Sequence, residues 1–208
     1  MANYTGLTFE EQIDFFTQKL LMLEADFLAD PTVSHDNAFT IAGVTSDDLL
    51  ADLNAAVTKL IEDGVTLDEF NAQFEDIVAK HGWTGWTGED TPQGRAWRSR
   101  IIADTNMRTS YSAGRLKQQL AAAEDRPYLL YRHSDAVMYP RPLHVKWNGI
   151  VLPVDHAWWK THYPPNGFGC QCQVFSLSED DLALMGLTVT PDSAIAPGDA
   201  DSGFGNMG

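Results

Sequence analysis

The sequence predicts an α+β protein, with an N-terminal helical region and a long central helix followed by a small mixed, loop-rich C-terminal domain. Apolar residues recur every three to four positions through much of the first 120 residues, as in amphipathic helices. After residue 126, short aromatic and aliphatic runs alternate with prolines and glycines, which favours strands and loops. We expect an acidic helical region over 1–90, a basic helix with an α+β domain over 91–190, and a flexible tail over 191–208.

Three helices are predicted before residue 83. The first begins at Thr8, where a glutamate three residues later forms a capping box, and it ends before Pro31. Residues 30–44 lack helical periodicity and indicate a loop. Two helices over 46–64 and 66–82, each ending at a glycine, are predicted to form an αα-hairpin, which is a packing module and not a site.

A longer helix follows the Gly/Thr-rich segment 83–94. Thr91 is its predicted N-cap and Pro92 its first helical residue, because proline lacks the N–H that this position leaves unbonded. Beyond it, the Asn148-Gly149 turn signal lies between apolar residues and predicts a short hairpin. The predicted strands are 127–133, 146–152 and 173–177, and a last short helix is predicted to begin at Ser178.

Charge is spread unevenly along the chain, whose formal net charge is −15 at pH 7. Residues 1–94 carry 3 Lys/Arg against 18 Asp/Glu, residues 95–172 carry 11 against 5, and residues 173–208 carry 0 against 6. Such a basic middle can meet an acidic protein surface or a phosphate backbone, or it can pair with carboxylates of the same chain. The candidate partner-binding residues are Arg95, Arg98, Arg100, Arg108 and Arg115.

Residues 141–172 concentrate aromatic residues, prolines, glycines, three histidines and both cysteines. Two histidines and two cysteines suit a tetrahedral zinc ion, although Cys-x-Cys is a weaker signal than paired Cys-x-x-Cys. The candidate ligands are His144, His156, Cys170 and Cys172, with Asp155 or His162 as substitutes. The alternative is that the thiols are small buried hydrophobic groups and that proline and tryptophan packing holds the loop.

A cysteine–histidine nucleophile is the competing class of function, and Cys170 or Cys172 would have to supply it. The surrounding residues NGFGCQCQVF contain no feature that places an oxyanion hole. Two pairs of adjacent aspartates lie at predicted helix starts, where capping explains them better than acid–base chemistry. We therefore do not expect an enzyme.

An ordered series of short motifs resembles the Mu F-like minor head protein family of tailed phages. The series includes FTIAGVTSDDLLADLNAAVTKLIEDG, FEDIVAKHGW, TNMRTSYSAGR, RPLH, WNG, VLPVD and THYPPNGFGCQC, between about Phe39 and Leu177. The resemblance supports His144 and both cysteines as site residues but not His156, which stands where the family commonly has an acidic residue. Val137 likewise replaces a common arginine. The motif residues are Arg141, Pro142, Trp147, Gly149, Asp155, Trp158, Pro164, Pro165 and Asn166.

The resemblance implies a minor capsid protein that acts in procapsid assembly near the portal, and in DNA packaging or ejection. Its expected partners are the portal protein, other head or scaffold proteins, and phage DNA bound nonspecifically. It would be found in the head interior or portal region of the virion, and in the host cytoplasm during assembly. No membrane association is expected, because no apolar run approaches the ~20 residues that span a bilayer. A cysteine hydrolase or toxin-like effector built on the same domain is the alternative.

Overall fold

The computed structural model describes residues 9–205, and its contacts divide the chain into two compact units. Unit 1 extends to Gly114 and unit 2 begins at Arg115, so the division lies within the long central helix. The α+β class is confirmed, because helices form most of unit 1 and a small antiparallel sheet lies in unit 2. The boundary near residue 90, expected from composition, remains a prediction about independent folding. Within residues 9–205, no helix has the length and apolarity needed to cross a membrane.

Unit 1 is built from helices and a two-stranded parallel pairing. Its elements are α1 (Glu10–Thr17), β1 (Leu20–Leu21), α2 (Glu24–Ala29), β2 (Ala38–Phe39), α3 (Asp47–Glu62), α4 (Leu67–His81) and most of α5 (Pro92–Ala121). The predicted αα-hairpin is confirmed as α3 and α4. Ser46 caps α3, a reciprocal capping box between Thr66 and Glu69 starts α4, and Gly82 ends α4 in the left-handed conformation.

The prediction of one helix from Thr8 to Pro31 is wrong in the part of the chain that the structure describes, where α1 ends at Thr17; Thr8 itself lies outside that part. The next residues turn into β1, which pairs in parallel with β2. The cause is a buried lysine at the break. The Nζ atom of Lys19 donates to the carbonyl of His35 at 2.6 Å and to the Thr109 hydroxyl at 2.9 Å. These long-range bonds override the local helical pattern.

Burial of Lys19 carries an electrostatic cost. Desolvation lowers its pKa from 10.5 to about 7, and the attraction of Asp36 opposes this shift only in part. Neighbouring His35 is half-buried, and desolvation together with the nearby Lys19 charge lowers its pKa to about 4. Unit 1 therefore contains a polar cluster that favours the uncharged forms of both side chains.

Two glycines near the start of α5 lie unusually close together. A Cβ atom added to Gly94 would lie 2.5 Å from the Cα atom of Gly88, well inside van der Waals contact. Gly88 also has a φ of 93°, which side chains other than glycine rarely adopt. The segment that enters α5 therefore requires glycine at both positions.

Unit 2 contains a three-stranded antiparallel sheet in the order β4-β3-β5. Its elements are β3 (Tyr128–Arg132), α6 (Pro142–Lys146), β4 (Val151–Pro153), α7 (Trp159–His162), β5 (Gln173–Leu177), α8 (Glu179–Met185) and a 3₁₀ turn (Asp192–Ala194). The predicted hairpin around Asn148 is wrong, because the residues before the turn form α6, with Pro142 at its start and Trp147 at its C-cap. Strand β4 pairs with β3, and Gly149 N–H donates to the Tyr131 carbonyl at 2.9 Å.

The segment after Pro191, expected from its composition to be flexible, makes specific contacts over its described part. Its backbone carbonyls at Ala196 and Gly198 accept hydrogen bonds from Trp147 Nε1 (3.0 Å) and His162 Nε2 (2.8 Å). The Phe204 ring is buried and meets Phe168 edge to face. In the described residues, this segment thus satisfies buried side chains of unit 2.

Candidate metal centre

The candidate site lies beside the indole of Trp147, in the core of unit 2. Trp147 is fully buried and contacts the rings of Tyr131, Trp158 and His162 edge to face. The imidazole of His144 stacks on Trp147, with ring centroids 5.4 Å apart and planes at 16°. Because α6 carries His144 and has Trp147 as its C-cap, this short helix and the stacking fix the direction in which the His144 nitrogens point.

Three of the four candidate ligands come together beside this indole. The Nδ1 atom of His144 lies 3.7 Å from Cys170 Sγ and 3.7 Å from Cys172 Sγ, and all three ligand atoms lie within 4.8 Å of one another. Both cysteines are free thiols, 4% and 8% exposed. A turn at Gly169, whose φ is 68°, precedes Cys170 and brings it back toward α6. The sequence thus supplies one nitrogen and two sulfurs to a single buried point.

The two thiols share a hydrogen bond that separates their acidities. This bond raises the pKa of Cys170 to about 12, with burial acting in the same direction. The same bond lowers the pKa of Cys172 to about 7, and a hydrogen bond involving Tyr131 adds to the effect. Cys172 is therefore the more readily ionised sulfur. A thiolate is the form that binds a metal ion.

The spacing suits a tetrahedral ion. Zinc binds sulfur at about 2.3 Å and nitrogen at about 2.0–2.1 Å, so sulfur and nitrogen ligands at a tetrahedral angle lie about 3.6 Å apart. The observed Nδ1–Sγ distances of 3.7 Å match that edge. The group of His144, Cys170 and Cys172 could therefore hold a metal ion.

His156, proposed from the sequence as the fourth ligand, is not brought to this group. Its Nδ1 accepts from the Trp158 N–H at 3.2 Å, and its Nε2 contacts Asp192 Oδ1 at 3.2 Å. The substitute residues are placed elsewhere too. The Nε2 of His162 donates to a backbone carbonyl and its ring stacks on Trp158, while Asp155 is exposed. His156 therefore faces the 3₁₀ turn, and His162, at the end of α7, packs against the indoles of Trp147 and Trp158.

His133, which sequence reasoning missed, lies beside the group. Its Nδ1 is 3.7 Å from Cys172 Sγ. The antiparallel register of β3 and β5 ends with Arg132 opposite Gln173, so the next pair outward is His133 opposite Cys172. The pairing of β3 with β5 is the signal that would have identified His133, because opposite residues in an antiparallel pair have neighbouring side chains.

The motif residues around the site hold its irregular loop. Arg141 pairs with Asp201 at 2.8 Å and donates to the Phe168 carbonyl at 2.9 Å. Asn166 is fully buried and donates to the Tyr131 hydroxyl and a backbone carbonyl. Pro164 and Pro165, joined by a cis peptide bond, are also buried.

The basic residues of α5 have different environments. Arg95 pairs with Glu75, and Arg98 donates to the Ala42 carbonyl while lying over the Trp83 ring. These two side chains therefore serve the packing of unit 1. Of the other three, Arg100 is exposed and pairs with Asp104 one turn away, Arg108 is half-buried, and Arg115 is half-buried and donates to Gln118.

A family match and two similar proteins all relate this chain to the F protein of phage Mu. The chain matches the family described as "Phage Mu protein F like protein" over residues 51–175. It is 31% identical over 191 residues to "Putative capsid assembly protein F" of Escherichia phage Mu, covering 87% of this chain and 43% of that protein. It is also 31% identical over 161 residues to "Mu-like prophage FluMu F protein" of Haemophilus influenzae, covering 76% and 39%. The chain thus spans about two fifths of the length of these relatives. No solved structure matches it significantly.

Proposed function

Because the chain belongs to the Phage Mu protein F-like family, we propose that it acts in assembling the head of a tailed phage or prophage. The observation that carries this proposal is the match over residues 51–175, together with a phage Mu relative named for capsid assembly. The matched region contains His144 and both cysteines. In this proposal the protein joins the procapsid near the portal, contacts other head or scaffold proteins, and contributes to DNA packaging or ejection.

Deleting the gene from its phage tests this role. We expect lysates without functional heads, visible by electron microscopy as missing or aberrant capsids, and restored by the gene supplied in trans. Purified particles should contain the protein when probed by mass spectrometry. Normal numbers of infective particles from the deletion would contradict the proposal.

Two basic side chains of α5, the exposed Arg100 and the half-buried Arg108, support a contact with an acidic protein surface. Attraction between exposed charges is screened over about 10 Å at 0.1 M salt, so binding to the portal protein should weaken as salt is added. We expect Arg100→Glu with Arg108→Glu to reduce recovery of the portal protein in a pull-down. The matched control is Lys59→Glu with Lys80→Glu, an equal charge change on α3 and α4. Equal recovery with both double variants would contradict a contact through α5.

Direct contact of this helix with DNA is the second proposed role. Binding should then be independent of sequence and should fall steeply with salt, because phosphate contacts release counterions. A gel shift at low ionic strength with two unrelated duplexes checks this. No complex with either duplex would remove DNA as a partner of the isolated chain, and would leave the assembly role untouched.

A catalytic role for the cysteines is not favoured. The contacts of Cys170 and Cys172 with His144 resemble those of an activated nucleophile, but both sulfurs are buried. An acyl substrate must reach the attacking sulfur. Slow alkylation of both thiols by iodoacetamide in the folded protein, and fast alkylation after unfolding, is the expected result.

We propose instead that His144, Cys170 and Cys172 hold a structural zinc ion, a role that their donor types and burial support. Elemental analysis of the purified protein should find one zinc per chain. A chelator should lower the melting temperature, since metal binding to the folded state stabilises it. Cys170→Ser should reproduce that decrease and be insensitive to chelator. Zinc-free protein with an unchanged melt would favour hydrophobic packing of the thiols.

A further inference from the structure

Structural zinc sites are almost always four-coordinate, so a zinc ion at this centre would take a fourth ligand. The three grouped atoms supply one nitrogen and two sulfurs. Each comes from a buried residue, two from the segment before β5 and one from α6. A fourth ligand must therefore come from a part of unit 2 other than α6 and the segment before β5.

The strand register points to the fourth side chain. Pairing between β3 and β5 is continuous from Tyr128 opposite Leu177 to Arg132 opposite Gln173. Extending it by one pair sets His133 opposite Cys172, and the observed 3.7 Å between His133 Nδ1 and Cys172 Sγ agrees with that position. This distance also matches the sulfur–nitrogen edge of about 3.6 Å in a tetrahedral zinc site.

The other histidines of unit 2 have different contacts. His156 accepts from a backbone N–H and contacts Asp192, while His162 donates to the Gly198 carbonyl and stacks on Trp158. His133 lies in contact with one ligand but outside the three-atom group, and it is half-buried at the end of β3. Its backbone is already held, because its N–H donates to Asn148 Oδ1 at 3.0 Å.

We propose that His133, and not His156, is the fourth ligand, which completes a Cys₂His₂ zinc site. The proposal rests on the structural zinc proposed above. The ion then joins the end of β3, helix α6 and the segment before β5, three pieces that are separated in sequence. Zinc fits this donor set because it accepts both imidazole and thiolate in tetrahedral geometry.

Variants of His133 and His156 test which histidine is the fourth ligand, by their zinc affinity and by the absorption spectrum of bound cobalt(II). His133→Ala should lower zinc affinity about 10-fold or more, since loss of even an outer-shell partner costs that much. Its cobalt(II) form should lose intensity in the visible bands of tetrahedral coordination but keep the thiolate charge-transfer bands. His133→Cys should retain tight binding with stronger charge transfer, and His156→Ala should match the wild type in both affinity and spectrum.

The outcomes separate the two proposals. If wild-type protein binds neither zinc nor cobalt(II), the structural zinc and the fourth ligand both fail. If wild type binds zinc and His133→Ala binds it equally well with an unchanged cobalt(II) spectrum, only the assignment of His133 is overturned. Loss of affinity in His156→Ala with none in His133→Ala would return the fourth position to His156.

Discussion

The cores of the two units are built by different means. In unit 1, residues at helical spacing such as Leu53, Val57 and Phe70 supply the buried surface, and local caps satisfy the helix ends. In unit 2, aromatic residues supply the surface, and the central one bonds to distant backbone, because Trp147 Nε1 donates to the Ala196 carbonyl. Regular helices satisfy their own backbone, whereas an irregular loop needs side chains to do so. A loop-rich unit therefore depends more on each large residue.

Replacing the central indole should give the largest effect. Trp147→Ala removes a fully buried side chain and the donor to Ala196, and should destabilise unit 2 by about 3–5 kcal/mol. Hydrogen exchange followed by mass spectrometry should show lost protection in β3, β4 and the segment after Pro191. Leu53→Ala is the matched change in unit 1 and should cost about 2–5 kcal/mol there. Unchanged protection in unit 2 after Trp147→Ala would contradict the stronger dependence of that unit on single large residues.

The buried lysine should make the stability of unit 1 depend on pH. Because the folded-state pKa of Lys19, about 7, lies below the unfolded value of 10.5, the unfolded chain binds more protons between these pH values. The free energy of unfolding should therefore rise with pH across this window. Relative to Lys19→Met, wild type should gain about 1.5–2 kcal/mol between pH 7 and pH 8.5 in urea unfolding.

An exposed lysine supplies the control for this pH dependence. Lys59 lies on the exposed side of α3, and Lys59→Met should follow the wild-type pH profile. A parallel profile for Lys19→Met as well would show that the buried ammonium is not the source of the slope.

Helix caps should give the smallest effect, and the same one in both units. Thr66 and Ser178 each start a reciprocal capping box, at α4 and α8. Thr66→Ala and Ser178→Ala should each cost about 1 kcal/mol, because each leaves a helical N–H without its acceptor. Chemical denaturation of both variants measures this. A much larger loss for Ser178→Ala would mean that local caps also differ in importance between the units.

The parts of the fold predicted from sequence are those set by neighbouring residues. The spacing of Thr66 and Glu69 and the glycine at 82 define α4 without reference to the rest of the chain. The break after α1 depends instead on Lys19 reaching Thr109, ninety residues away, which no local pattern indicates. The helix before Trp147 was missed for a related reason, because the Asn-Gly turn signal does not say which element precedes it.

In the candidate site too, residues of one local motif could be predicted from the sequence, and a residue placed by long-range contacts could not. His144, Cys170 and Cys172 were found because they belong to a dense motif, and the structure brings them together. His156 belongs to the same motif, but its contacts are with Asp192 and Trp158. His133 lies outside the motif and reaches the site only through the pairing of β3 with β5. Strand pairing is a long-range property that a single sequence does not reveal.

The contact between Gly88 and Gly94 has a genetic consequence. Every missense change that one nucleotide can make in a glycine codon introduces a side chain with at least a Cβ atom. At Gly94 that atom would lie 2.5 Å from the Cα of Gly88, where main chain and not a flexible side chain would have to move. In a library of single-nucleotide variants, codon 94 should therefore tolerate only synonymous changes. Neighbouring codon 93 encodes an exposed glutamine and should accept many replacements.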